Sequence, residues 1–60
     1  MPVITAEVLS LPKETKVKYA KELTQVTSKY TGISEDKLTV FIKENSPENV
    51  AAGGTLLSDF

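Results

Sequence analysis

Pro2 stands directly behind the initiator methionine, and methionine is routinely trimmed when the next residue is small. A chain trimmed in this way would carry a free secondary amine, one of the few backbone groups able to do acid–base chemistry near neutral pH. An α-amino group starts near pKa ~7.7–8, and a dry pocket lowers that value by disfavouring the charged form. Proton abstraction needs a base poised close to the working pH, which makes Pro2 a candidate general base. The same residue also fits a purely structural role, because proline is tolerated as the first residue of a strand.

Few other side chains compete for that chemistry. The chain contains no histidine and no cysteine, which excludes disulfides and the usual zinc sites; no metal and no cofactor is expected. All 7 cations are lysine. Arginine is the preferred fork for carboxylates, so an anionic substrate would have to be held by lysine, hydroxyl or backbone N–H groups. The net charge of −1 gives no electrostatic reason to expect nucleic acid, whose footprint is a basic face. No run approaches the ~18 apolar residues of a membrane span, and no signal peptide precedes the first apolar segment. A cytoplasmic protein with no membrane partner is the expectation.

Those residues must be positioned by one small domain, expected to span residues 1–60. A monomer of this size buries only ~60% of its unfolded surface, and the usual reinforcements are disulfides, metals or oligomerisation. With the first two excluded, oligomerisation remains. The segment Pro2-Val3-Ile4-Thr5-Ala6-Glu7-Val8-Leu9 alternates as a strand, with Ile4, Ala6 and Val8 sharing a face with Pro2 while Val3, Thr5, Glu7 and Leu9 take the other. A strand apolar on both sides suits a parallel sheet covered on both faces. Ser10 is the expected N-cap, or the start of the lead-in turn, with Pro12 in the first turn of a helix over residues 12–31. Tyr19, Ala20, Leu23, Val26, Thr27 and Tyr30 fall in one stripe wide enough to bury. Lys18, Lys21, Glu22, Gln25 and Lys29 form a solvated outer side. Gly32 is placed to close the helix, with Ile33 giving the accompanying hydrophobic contact. Ser34-Glu35-Asp36 is a short turn with N-cap character.

A second strand over residues 38–44 separates Leu38, Val40 and Ile42 from Lys37, Thr39, Phe41 and Lys43. Strand, helix and strand form a right-handed βαβ unit that leaves one apolar sheet face uncovered. After the polar turn Asn45-Ser46-Pro47-Glu48-Asn49, the Gly53-Gly54 pair predicts a tight hairpin in a tail too apolar to stay in water. The fold class is α/β (α+β), a single βαβ unit with a C-terminal hairpin, assembled as an oligomer.

This order closely resembles the 4-oxalocrotonate tautomerase family of small enzymes with an amino-terminal proline base. The resemblance covers Pro2 to about Leu57. It is carried by Met1-Pro2 before β-branched residues, the strand end Ile42-Lys43-Glu44 and the segment from Asn49 to Gly54. It implies the tautomerase fold, with dimers of βαβ protomers assembled three at a time into a homo-hexamer whose sites are completed by neighbouring subunits. It implies that Pro2 is the catalytic acid and base for keto–enol or dienol-to-enone transfer in 2-oxo or 2-hydroxydienoic acids. Leu9, Phe41 and Val50 are then the apolar walls, Val50 standing where relatives often place an aromatic ring. The prototype's two arginines are missing. The strand-to-helix junction reads Ser10-Leu11-Pro12-Lys13, with Lys13 the nearest cation, and the matching second-strand position is Thr39, a neutral hydroxyl. Lys37 and Lys43 share a face with Thr39, so Lys13, Lys37, Thr39 and Lys43 are the candidate anion-holding residues. For each lysine a plain surface role is the competing reading.

Two other classes stay open. A non-catalytic oligomeric scaffold would keep the fold without activity, and a retained Met1 would leave the Pro2 nitrogen a tertiary amide with no basicity. A nucleic-acid or peptide-binding βαβ module would need a basic or aromatic-studded face, which this composition does not supply.

Overall fold

The computed structural model describes residues 2–60, so the expectation for Met1 lies outside the described residues. Strand β1 (Val3–Val8) leads through a short junction into helix α1 (Lys13–Thr31), and strand β2 (Thr39–Glu44) returns parallel to β1. The register runs from Val3 opposite Thr39 to Val8 opposite Glu44, and the N–H of Thr39 donates to the Pro2 carbonyl at 3.2 Å. Strands β3 (Ala51–Ala52) and β4 (Thr55–Leu56) form a separate antiparallel hairpin. Single 3₁₀ turns occupy Glu35–Lys37, Pro47–Asn49 and Leu57–Asp59. The βαβ unit with a C-terminal hairpin is therefore present in the expected order.

Local chemistry accounts for the boundaries and corrects several of them. The helix starts at Lys13 with Pro12 as its N-cap, extended at ψ 153° and making no side-chain cap bond. Ser10 does not cap it. Proline has no N–H to leave unpaired and its φ is preset, while its carbonyl accepts the Lys16 N–H at 3.0 Å. At the other end Gly32 adopts φ 75° and donates to the Ser28 carbonyl, the left-handed closure that glycine permits. Strand β2 begins at Thr39, one residue later than expected. The N–H groups of Lys37 and Leu38 go to the carbonyls of Ser34 and Glu35 at 3.0 and 3.1 Å, so they are taken by the 3₁₀ turn. Lys37 consequently sits in that exposed turn rather than on the strand face with Thr39. Gly53 and Gly54 have φ 61° and 85°, the paired positive values of a two-residue type I′ turn, as the sequence indicated.

The covered stripe of α1 also differs from expectation. Tyr19, Ala20, Leu23 and Thr27 are half-buried as expected, but so are Lys16, Thr24 and Ser28, whereas Val26 and Tyr30 are exposed. Two strands lie about 5 Å apart, and a helix with its side chains is about 10–12 Å across. A sheet this narrow covers only the middle of the helix face and leaves its flank open. Thr24 tolerates partial burial because its hydroxyl donates to the Ala20 carbonyl at 2.8 Å.

No described residue is fully buried. The radius of gyration is 14.4 Å, with extents of 42 × 24 × 15 Å, against about 10 Å for a compact 60-residue domain. The accessible surface is 4615 Å², whereas a compact monomer of this mass exposes roughly 3,800 Å². The excess is close to the ~800 Å² that one partner loses in a standard interface. Val3, Leu9 and Phe41 lie half exposed on the open side of the sheet, so the protomer is completed by association. Sedimentation at micromolar concentration should show an oligomer with no folded monomer. Phe41→Glu, which forfeits about 1.5–3 kcal/mol of side-chain burial and buries a charge, should dissociate it and abolish cooperative thermal unfolding. A folded monomeric parent would contradict this reading of the surface.

Candidate functional site

The candidate residues occupy opposite ends of the two-stranded sheet. At the amino end of β1, Pro2 is half-buried beside Thr39, whose N–H it receives. Lys37 lies two residues before Thr39 in the exposed turn. At the carboxyl end of both strands, Glu7, Val8, Leu9, Asn45, Asn49, Val50 and Ala51 line an open groove of about 560 Å³. Leu9 and Val50 are thus brought together as walls of one cavity. Phe41 lies farther back on the open sheet face and does not line it. Lys13 opens α1 beyond the same end, and Lys43 sits opposite Glu7 in the β1–β2 register; neither lines the groove. At ~3.3 Å per residue, the strand separates Pro2 from Leu9 by roughly 23 Å. One protomer cannot bring its own proline to its own groove.

Two side chains at the carboxyl end of the sheet organise it. The Asn45 N–H donates to the carbonyls of Val8 and Leu9 at 2.8 and 3.1 Å. Its Nδ2 lies 3.3 Å from Glu7 Oε1, 3.3 Å from the Lys43 carbonyl and 3.4 Å from the Val8 carbonyl. Both strand ends are thereby tied to the turn that carries Asn49 and Val50. Glu44 points the other way, toward the helix. Its Oε2 accepts the Leu11 N–H at 2.9 Å and its Oε1 accepts Lys16 Nζ at 2.9 Å, the sole ion pair among the described residues. The Leu11 N–H first, and then the Lys16 ammonium, hold the Glu44 carboxyl below its ordinary value of 4.5, with a smaller contribution from the Ser10 hydroxyl. This latch fixes the junction between Leu9 and Lys13 against β2.

Sequence reasoning missed Glu7, Asn45 and Asn49 as groove residues and Lys16 as the partner of Glu44. A signal existed for the latch, since strand alternation puts Glu44 on the helix side of β2 with Val40 and Ile42. Among the described residues no group of three His, Cys, Asp or Glu side chains is placed to hold a metal ion. Among the described residues no helix is long and apolar enough to cross a membrane.

The protomer is thus a small βαβ unit with a terminal hairpin, a proline at the head of β1 and a partly apolar groove at its foot. The family model described as Tautomerase enzyme matches residues 2–59, and the chain belongs to that family. It is 38% identical over 60 residues to a probable tautomerase of Bacillus cereus, covering 98% of each chain. It is 35% identical to the 2-hydroxymuconate tautomerase of Bacillus subtilis, covering 98% of this chain and 97% of the other. The crystal structure of YwhB, a homologue of 4-oxalocrotonate tautomerase, superposes with a TM-score of 0.94 at 33% identity, covering 98% of both chains.

The Glu44 latch has a definite pH signature. Its carboxyl is lowered on folding, so its stabilisation is present above the ordinary value of 4.5 and is lost as pH falls through the lower folded value. Glu44→Gln should therefore lower Tm near neutral pH, and the gap from the parent should narrow steadily below pH 4.5. Amide exchange at Leu11 should accelerate in the variant at neutral pH. A Tm gap independent of pH would show that the ion pair contributes nothing.

Proposed function

We propose that this tautomerase uses Pro2, freed as a secondary amine once Met1 is removed, to move a proton within a 2-hydroxydienoic or 2-oxo acid. The amine takes the enol O–H proton, the conjugated double bonds shift as the carbonyl forms, and the same proton is delivered to a ring-free carbon of the chain. Atoms and electrons balance with no oxidant, metal or cofactor. The observation that carries the reading is the match of a tautomerase family model from Pro2 onward, in a fold that leaves this residue half-buried at the head of β1.

The single domain over residues 1–60 acts only in assembly. Because Pro2 and the groove of Leu9 and Val50 lie at opposite ends of one strand, a proline from one protomer serves the groove of a neighbour. A homo-hexamer built as three dimers accommodates this exchange, and the uncovered sheet face supplies the surface for it. Apolar walls from Leu9 and Val50 exclude water, keep the amine neutral and strengthen nearby electrostatics, while Phe41 lies farther back on the sheet face. Substrate carboxylate is held without arginine. Lys37 and Thr39 stand at the proline end, while Lys13 and Lys43 stand at the groove end. Lys13 acts together with the positive end of α1. A neutral hydrogen bond from Thr39 contributes about 0.5–1.5 kcal/mol and a charge-assisted one about 1.5–3, so the grip is unequal on its two sides.

Intact mass and a dienol ketonisation assay on the same sample test the base. Pro2→Ala keeps a primary amine but loses the ring's fixed orientation, and should lower kcat about 100-fold or more while leaving assembly and Tm unchanged. kcat/KM should fall on the acid side as the amine takes up a proton. Equal rates in parent and variant would remove Pro2 as the base. A processed protein that turns over no dienol would favour the scaffold reading. Lys13→Ala should raise KM about tenfold or more, as expected for a lost charge-assisted contact, with a smaller effect on kcat.

A further inference from the structure

We propose that Glu7 sets the substrate choice of the groove. It selects enols and oxo acids whose far end carries a hydrogen-bond donor, a hydroxyl or amino group, over those ending in a second carboxylate. The proposal rests on the reading that a neighbouring protomer's Pro2 works in this groove.

Four observations carry it. Glu7 is the one charged residue among the seven that line the groove, and it is an acid. It makes no ion pair: Lys43 is its register partner across β2, yet the Lys16–Glu44 pair is the sole ion pair among the described residues. Its carboxylate is positioned, because Oε1 receives Asn45 Nδ2 at 3.3 Å and Asn45 is itself pinned by its N–H to the carbonyls of Val8 and Leu9. The remaining lining is neutral, with Val8, Leu9, Val50 and Ala51 apolar and Asn49 an amide.

An ionised carboxylate only accepts hydrogen bonds and has about four lone-pair sites, so one bond from Asn45 leaves acceptor capacity for a ligand. A hydroxyl or ammonium entering beside it gains a charge-assisted bond. A second carboxylate meets a like charge over apolar walls with no cation among the lining residues, an arrangement that rejects it. The substrate's reacting carboxylate is held outside the groove lining, by the lysine and hydroxyl groups already named, none of which lines it.

The test compares 2-hydroxymuconate, which carries a carboxylate at each end, with its analogue bearing a hydroxymethyl group at the far end. kcat/KM is measured for both in the parent, Glu7→Gln and Pro2→Ala. In the parent the hydroxymethyl compound should be favoured, and Glu7→Gln should shift the ratio toward the dicarboxylate by about tenfold. Raising ionic strength should shift the parent's ratio in the same direction, because the groove is open and its charge is screened. That salt arm decides the question should Glu7→Gln fail to assemble. Dissociation constants for a saturated dicarboxylate and its matched ω-hydroxy acid give the same comparison without turnover. If Pro2→Ala reacts like the parent, the proline reading falls on its own and the binding ratio still decides for or against Glu7. Ratios that are identical in parent and Glu7→Gln, with Pro2→Ala inactive, would overturn the role of Glu7 and leave the proline reading standing.

Discussion

The parallel pairing of β1 with β2, in one register from Val3 opposite Thr39 to Val8 opposite Glu44, is the contact on which the rest of the molecule depends. It gives the helix its platform, and it decides which end of the chain meets which. Parallel pairing places both carboxyl ends together, so the β1–α1 junction and the turn after β2 converge there. It also leaves Pro2 at the far end. A two-stranded sheet has edges on both sides and one naked face, and a single covering helix cannot close it. The absence of any fully buried described residue follows from that geometry rather than from poor composition, since 40% of the chain is hydrophobic.

Glu44 and Asn45 turn this pairing into a shaped site. They are consecutive in sequence and point to opposite sides of the strand end. Glu44 secures the junction through the Leu11 N–H and Lys16, while Asn45 secures the two strand ends and the groove acid through its backbone and side chain. The groove therefore has a firm floor and an open mouth.

Much of the fold could be read directly from residue types. The helix stop at Gly32, the hairpin at Gly53-Gly54 and the strand–helix–strand order follow from local rules with specific backbone demands. Leu9 and Val50, grouped with Phe41 through resemblance rather than spacing, line one groove together, and Phe41 stands apart from it. The legible part ended where two distant segments must be compared. Leu11 and Glu44 are 33 positions apart, and only the strand register shows that they touch. The same holds for Glu7 with Asn45. The helix stripe was misplaced toward Val26 and Tyr30 because hydrophobic periodicity reports which side is apolar, not how wide the platform beneath it is. Lys37 was misplaced because a 3₁₀ turn took the N–H groups that a longer strand would have used.

The separation of Pro2 from its own groove gives the oligomer an unusual genetic property. Under the proposed reading each site combines the head of one chain with the foot of another, so the two halves can change independently in duplicated copies. One copy could lose its proline and still lend a working groove, while another could reshape Glu7 or Val50 and still lend a working base. Division of labour between sister chains would then need no new fold and no new interface, only unequal drift at the two ends of a single strand.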